Sequence, residues 1–115
     1  MQGIKLNNRI IANHSPCFII AEAGVNHNGD MRLARKLVDI AVDSGADAVK
    51  FQTFITDEII LHNAPKAKYH IETTGDNKFQ SWYELLSSQE LNRAQHIELI
   101  EYCRDKGIVF LSTPY

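Results

Sequence analysis

The sequence predicts an α/β fold, in which parallel strands alternate with helices and polar side chains gather at one edge of the sheet. Three apolar runs indicate this fold, and each becomes polar at its carboxyl end (residues 17–22, 47–53 and 108–114). Helical periodicity separates the runs, and Gly45 and Gly107 precede the second and the third. Functional groups of α/β sheets and barrels lie at the carboxyl ends of their strands. We therefore expect a site that is built from several strands.

The chain begins with a predicted hairpin and a buried strand. Residues 3–12 alternate around Asn7 and Asn8, a pair that tolerates the positive φ of a hairpin turn. Residues 17–22 then form a continuous apolar run that ends at a carboxylate, which is typical of a strand covered on both faces. We expect a β-hairpin followed by the first strand of the main sheet.

A helix and a second strand follow. Asn28 or Asp30 can cap the helix, and Gly45 ends it. The second strand is expected at residues 47–53. The apolar residues of the helix recur at helical spacing and predict its buried face: Leu33, Leu37, Ile40 and Ala41. This order of elements is the start of a βαβ unit.

A long polar connection, residues 54–80, separates the second strand from two more helices. Connections of this length are usually functional or mobile. Ser81 and Glu84 fit a capping box for a short helix, and Ser87 and Glu90 fit another at the start of a longer one. The longer helix has its apolar residues on one side: Leu91, Ala94, Ile97, Ile100 and Cys103. About three βα units therefore follow the hairpin, within one domain at residues 1–115.

Composition excludes several classes of protein. The chain has 115 residues, a net charge of −2, 44% hydrophobic and 23% charged residues, which is typical of one globular domain. No basic face indicates nucleic acid binding, and no apolar run is long enough to span a membrane. Without a leader-like N-terminus, a cytoplasmic protein is expected. Cys17 and Cys103 lie in apolar patterns and are expected to be two buried thiols instead of a disulfide.

Side chains of different character reach one rim of the predicted sheet. Because side chains alternate along a strand, Lys50 and Gln52 share a face, and Glu22 ends the first strand in the matching phase. Ser112 and Thr113 add hydroxyls at the end of the third strand. A buried ammonium needs an anionic partner, which a bound phosphate or carboxylate would supply. Glu22 and Lys50 are the candidate catalytic residues, and Lys50, Gln52, Ser112 and Thr113 are candidate substrate ligands.

Structural roles are alternatives for each of these residues. Lys50 could extend to solvent, and Glu22 could form an ion pair with Lys50 without touching a substrate. Thr113 is held extended by the following proline, so a local role is an equal alternative. Asn26 and Asn28 could shape the loop and cap the helix. The histidines lack the spacing of a metal site.

The chain resembles the N-terminal part of the sialic acid synthase family, which makes N-acetylneuraminate and, in relatives, legionaminic and pseudaminic acids. The resemblance extends over nearly the whole chain. Ala23 stands where many members have isoleucine. The matching segments are FIIAE-x-GVNHNGD (18–30), GADAVKFQTF (45–54), TGDN (74–77), WYELL (82–86) and GIVFLSTP (107–114).

This resemblance implies the opening portion of a (β/α)₈ barrel, the TIM barrel. The implied reaction condenses phosphoenolpyruvate with the open-chain aldehyde of N-acetylmannosamine or a related amino sugar, and phosphate leaves. By matching position, Lys50 and Thr113 resemble phosphoenolpyruvate ligands with Gln52 beside them. Glu22 resembles an active-site carboxylate, and Asn77 matches a contact to the N-acyl end of the sugar.

The resemblance also implies partners that these residues do not supply. The family uses a divalent metal, Mn or Mg, whose ligands lie on later strands, and the full-length form is a homodimer. The chain by itself is therefore expected to be inactive. Two other hypotheses remain open: a sister phosphoenolpyruvate-condensing aldolase, and a non-catalytic barrel fragment that self-associates through open strand edges.

Overall fold

The N-terminal hairpin forms as predicted. The computed structural model describes residues 2–65, residue 72 and residues 81–115. Strands β1 (Ile4–Leu6) and β2 (Arg9–Ile11) pair antiparallel in a small sheet of their own. Asn7 turns the chain between them with a φ of 50°. An ion pair between Arg9 and Asp47 ties the hairpin to the start of the main sheet.

The main sheet confirms the predicted parallel arrangement. Its strands lie in the order β3-β4-β5, with β4 in the centre, and both pairs are parallel. Their bounds are Ile20–Gly24 for β3, Ala48–Thr53 for β4 and Val109–Pro114 for β5. The α/β fold class is therefore confirmed, whereas closure into a (β/α)₈ barrel stays a prediction.

Strand β3 lies further along the chain than predicted, at Ile20–Gly24 instead of residues 17–22. The reason is Asp47: its carboxylate accepts a hydrogen bond from the backbone N–H of Ile19 at 2.7 Å. The Ile19 carbonyl in turn accepts from the N–H of Asp47 at 2.9 Å. Cys17 therefore lies outside the strand and is exposed, so the prediction that it is buried was wrong.

Helix α1 (Met31–Asp43) begins at the predicted cap Asp30, whose side chain accepts from the N–H of Arg32. It ends at Ser44, and Gly45 follows with a φ of 77°. Its buried residues are Ala34, Val38 and Ala41. The predicted face was partly wrong, because Leu33 and Ile40 are 40% and 53% exposed. Ala41 belongs to both sets, whereas Ala34 and Val38 each lie one position after a predicted residue. The buried side of the helix is therefore turned from the predicted one by less than the roughly 100° between consecutive residues.

After β4, residues 54–65 and 81–115 form the helices α2 (Thr56–Ile59), α3 (Trp82–Gln89) and α4 (Arg93–Lys106). The capping box of Ser81 and Glu84 is confirmed at the start of α3. The second predicted box was wrong: Ser87 lies inside α3, and the Glu90 carboxylate accepts from the N–H and the hydroxyl of Thr56. Asn92 and Gln95 form the box that begins α4.

The buried face of α4 also differs from the prediction. Leu99 and Cys103 are buried, and Leu91 is buried just before the helix begins. Ala94, Ile97 and Ile100 are exposed, so that part of the predicted face was wrong. Burial of Cys103, as predicted, raises the pKa of its thiol to about 11.

Helices α1 and α4 contact each other and cover one face of the sheet. Residues of both helices and of all three strands form the core, including Ala23, Val38, Val49, Phe51, Leu99 and Cys103. The rings of Phe51 and Phe110 stack with centroids 5.8 Å apart. Because side chains alternate along β4, Val49 and Phe51 face the helices while Lys50 and Gln52 face the other side. Within the described ranges, no helix is long and apolar enough to cross a membrane.

Candidate functional site

An ion pair between two adjacent strands is the centre of the candidate site. Glu22 of β3 lies directly opposite Lys50 of β4 in the strand register. Lys50 Nζ and Glu22 Oε2 are 2.8 Å apart. The side chains are 36% exposed for Lys50 and 52% for Glu22. The structure thus brings the two candidate catalytic residues together on the sheet face that α1 and α4 do not cover.

Gly24 makes room for polar groups at the end of β3. It has a φ of 55°, and the strand register shifts between Glu22 and Gly24. A Cβ on Gly24 would lie 3.5 Å from Glu22 Oε1, 3.7 Å from Gln52 Nε2 and 3.8 Å from Asn26 Nδ2. A carboxylate and two amides therefore converge around one glycine. Asn26 also donates to the Ala23 carbonyl at 3.0 Å, which orients its side chain.

The two predicted hydroxyl residues of β5 lie on different faces. Thr113 is opposite Gln52 in the register and is half-buried, in the phase of the Lys50 face. Ser112 is opposite Phe51, and its hydroxyl lies 2.6 Å from that of Thr53, on the helix side. The structure therefore does not bring Ser112 to the face of Lys50. Asn77 lies outside the described residues, so its sugar contact stays a prediction.

His27 lies in the loop between β3 and α1, close to the candidate site, and was not singled out from the sequence. Its side chain is completely buried, with its ring centroid 6.0 Å from that of Phe51. Its Nδ1 accepts from the N–H of Gly29 at 2.9 Å, so the neutral ring carries its proton on Nε2. That Nε2 has no hydrogen-bond partner among the residues that the structure describes. The only sequence signal was a histidine between two asparagines in a short loop.

Burial lowers the pKa of His27 from its ordinary value of 6.5, and His96 nearby lowers it further. Between 6.5 and the lower native pKa, the unfolded chain binds a proton that the native chain does not. We therefore expect the free energy of unfolding to decrease as the pH falls below 6.5. The neighbouring carboxyl of Asp30 stays ionised there, because hydrogen bonds from Arg32 lower its pKa to about 2.

Urea denaturation of the wild type and of His27→Asn at pH 7.5 and pH 5.5 tests this prediction. The Oδ1 of asparagine lies where Nδ1 accepts from Gly29 but does not titrate, so the stability of the variant should change less between the two pH values. The other histidines are present in both proteins, so the difference between the two pH dependences reports His27 together with its interaction with His96. Equal pH dependence in both proteins would contradict the assignment to His27.

The described residues do not fit a metal centre. Within residues 2–65 and 81–115, no group of three or more His, Cys, Asp or Glu side chains could hold an ion. Zinc and calcium centres built from protein alone use three or more such ligands within coordination distance. We therefore assign no step of the chemistry to a metal bound by these residues.

Comparison with known proteins decides the family. Residues 37–115, more than half of the chain, match the model of the NeuB family. The chain belongs to the NeuB family. This confirms the resemblance to sialic acid synthases, because NeuB relatives include synthases of sialic, legionaminic and pseudaminic acids.

Two NeuB relatives show how much of the protein the chain represents. It is 50% identical over 97 residues to the N,N'-diacetyllegionaminic acid synthase of Campylobacter jejuni subsp. jejuni, and this match covers 84% of the chain. It is 32% identical over 105 residues to the human N-acetylneuraminate-9-phosphate synthase, which covers 91%. The chain spans 28% of the length of each relative.

A solved structure of a sialic acid synthetase shares the fold. The N-acetylneuraminic acid (sialic acid) synthetase of Leptospira borgpetersenii serovar Hardjo-bovis, in complex with citrate, superposes with a TM-score of 0.74 at 35% identity. The match covers 99% of this chain and 34% of the other. The α/β arrangement described above is therefore that of the corresponding part of a sialic acid synthetase.

Proposed function

We propose that this chain is the phosphoenolpyruvate-binding part of a nonulosonic acid synthase and that its sheet is the first part of a (β/α)₈ barrel. The observation that carries the proposal is the Lys50–Glu22 pair with Gln52 beside it, on the face opposite the helices. In a barrel, that face is the interior and the ends of these strands form its mouth. Family membership and the structural match to a sialic acid synthetase support this placement.

The electrostatics of the pair suit an anionic substrate. Both side chains are partly exposed, and ion pairs of this kind stabilise a protein by only about 1 kcal/mol or less. A phosphate or carboxylate with several charges can therefore replace Glu22 as the partner of Lys50. Gln52 and Thr113 form the pair two register positions beyond Lys50, on the same face, and would donate hydrogen bonds to the same ligand. Lys50 would thus bind the substrate, and the two polar residues would orient it.

Glu22 would then act on the reaction itself. In the proposed reaction, C3 of phosphoenolpyruvate attacks the sugar aldehyde, and water adds to C2. The resulting intermediate loses phosphate by cleavage of its C–O bond, which leaves a keto acid. Once its ion pair with Lys50 opens, Glu22 is free to accept a proton from the attacking water. Bringing the two reactants together at one rim adds the usual advantage of proximity.

The relatives favour one product over another. Identity is 50% to the N,N'-diacetyllegionaminic acid synthase but 32% to the N-acetylneuraminate-9-phosphate synthase. We therefore place N,N'-diacetyllegionaminic acid first among the products of the complete enzyme. N-acetylneuraminate, formed from N-acetylmannosamine, is the second candidate, since the solved structure is that of a sialic acid synthetase.

Calorimetric titration of phosphoenolpyruvate tests the anion site directly. Lys50→Ala should weaken binding at least about tenfold, because a charged hydrogen bond contributes about 1.5–3 kcal/mol. Lys36→Ala is the matched control, since Lys36 is an exposed lysine of α1 and its loss changes the net charge equally. Binding that is the same for the wild type, Lys50→Ala and Lys36→Ala would remove Lys50 from the site.

The 115-residue chain by itself should not catalyse the reaction. It spans 28% of the relatives' length, and its described residues offer no metal centre. Incubation with phosphoenolpyruvate, N-acetylmannosamine and manganese should therefore release no inorganic phosphate above the rate without sugar. Sugar-dependent phosphate release that disappears in Lys50→Ala would contradict this prediction and place the whole reaction in these residues.

A further inference from the structure

A chain of side-chain hydrogen bonds joins three elements on the helix side of the sheet. It begins at the Asn92 carbonyl, which lies 2.9 Å from His96 Nδ1. His96 Nε2 lies 3.1 Å from Thr53 Oγ1 at the end of β4. Thr53 Oγ1 lies 2.6 Å from the Ser112 hydroxyl near the end of β5. The chain therefore connects the first turn of α4 to the carboxyl ends of β4 and β5.

The chemistry of the partners gives each hydrogen bond a direction. A carbonyl oxygen only accepts, so His96 Nδ1 carries a proton and donates it to Asn92. In the neutral imidazole, Nε2 is then an acceptor, and Thr53 donates to it. The Thr53 oxygen remains free to accept from Ser112. The direction of each hydrogen bond is thus defined, and the hydroxyl of Ser112 is oriented, through Thr53, by a ring on another element.

The first turn of α4 holds the first two groups of this series of hydrogen bonds, the Asn92 carbonyl and the His96 ring. Asn92 caps α4, and its side chain and that of Gln95 exchange hydrogen bonds with each other's backbone N–H at 2.9 and 2.8 Å. The backbone N–H of His96 also donates to the Asn92 carbonyl, at 3.0 Å. The imidazole is therefore held in the first turn of α4 by backbone and side-chain bonds together. A group held in this way can position the residues bonded to it.

The Thr53–Ser112 hydrogen bond joins β4 to β5 on the face of the sheet opposite Lys50. In the register, Gln52 lies opposite Thr113, and Thr53 and Ser112 are the chain neighbours of that pair. Alternation puts Thr53 and Ser112 on the helix side and Gln52 and Thr113 on the Lys50 side. A hydroxyl bond between the neighbours therefore restrains the distance and twist between Gln52 and Thr113 without touching a ligand.

We propose that His96, Thr53 and Ser112 are positioning residues that hold Gln52 and Thr113 in place for an anionic substrate. This inference rests on the proposed function, which supplies the anion. It also assigns a role to Ser112, which the sequence predicted as a direct ligand: Ser112 acts through Thr53 from the opposite face. Because Thr53 is exposed, its hydroxyl can be removed with little effect on the core.

The test compares four proteins by phosphoenolpyruvate titration and thermal unfolding: the wild type, Thr53→Val, Thr53→Ser and Ser44→Ala. Valine keeps the shape of threonine without its hydroxyl, which makes two hydrogen bonds, and we expect affinity to fall at least about fivefold, the effect of a single net hydrogen bond. Serine restores the hydroxyl and should stay within about twofold of the wild type. Ser44→Ala removes a hydroxyl that donates to Ile40 at the end of α1, and its affinity should not change. All four should unfold at similar temperatures.

Nitrogen-15 NMR of the imidazoles gives a readout that does not depend on the substrate. His96 should carry its proton on Nδ1, and its Nε2 resonance should shift in Thr53→Val and recover in Thr53→Ser. A proton on Nε2 of neutral His96 in the wild type would overturn the proposed hydrogen-bond chain by itself. If Lys50→Ala loses affinity while Thr53→Val does not, the positioning role is wrong and the proposed function stands. If phosphoenolpyruvate does not bind, or binds Lys50→Ala as well as the wild type, the proposed function fails, and the positioning role fails with it.

Discussion

Replacing Gly29 by alanine should lower the free energy of unfolding by about 3 kcal/mol. Gly29 has a φ of 77°, where an L side chain costs about 1–2 kcal/mol. A Cβ there would also lie 2.3 Å from the Ser88 carbonyl oxygen, which belongs to the backbone of α3 and cannot rotate away. The loop that carries His27 or the end of α3 would have to move.

Gly45→Ala is the matched control for this substitution. Gly45 also has a φ of 77°, but nothing lies within 4 Å of the position of its Cβ. Its replacement should therefore cost only the backbone strain, about 1–2 kcal/mol. Urea denaturation of both variants at pH 7.5 measures the difference. Equal losses for the two glycines would mean that contact with Ser88 does not restrain the loop.

Leu99→Ala should destabilise the chain by a similar amount, about 3 kcal/mol within a range of 2–5 for buried leucines. Leu99 is completely buried in the core between α4 and the sheet. Alanine would remove the contacts of the leucine side chain and leave a cavity. The neighbouring core residues, which are closely packed, can move into that cavity only in part. The urea midpoint should fall without a change in the slope of the transition.

Ile97→Ala provides the comparison on the same helix. Ile97 is 46% exposed, and alanine is a better helix former, so the change should be about 0.5 kcal/mol or less in either direction. The sequence alone predicts the opposite order, since Ile97 and not Leu99 belongs to the predicted apolar face. A larger loss for Ile97→Ala than for Leu99→Ala would favour the face predicted from the sequence over the observed one.

Local sequence patterns predict some elements of this fold correctly and misplace the buried faces of two helices. The bounds of β4 agree with the prediction to within one residue, because an apolar run between Gly45 and a polar loop has few alternatives. The capping box at Ser81 is local and was predicted correctly. The buried faces of α1 and α4 were displaced, because exposed isoleucines carry the same apolar signal as buried residues. Only the position of the sheet decides between them.

Some contacts of the candidate site can likewise be predicted from the sequence, and others cannot. The meeting of Glu22 and Lys50 could be predicted, because alternation and parallel pairing bring the ends of neighbouring strands together. The helix-side position of Ser112 also follows from alternation, although Ser112 was predicted to be a direct ligand. The bond between Thr53 and His96 joins residues 43 positions apart, and no local pattern contains it. The buried state of His27 likewise depends on contacts with Phe51 that form only in the folded chain.

The two faces of β4 restrict how this region can evolve. Phe51, which is completely buried, and Lys50 are consecutive residues with opposite surroundings. Inserting or deleting one residue in the turn before Ala48 would shift the strand by one position, moving the ammonium into the core and the phenyl ring to the face opposite the helices. Single substitutions at either position leave the other face intact. Lineages that keep this strand can therefore change its residues one at a time, but a change of length in that turn must be compensated elsewhere.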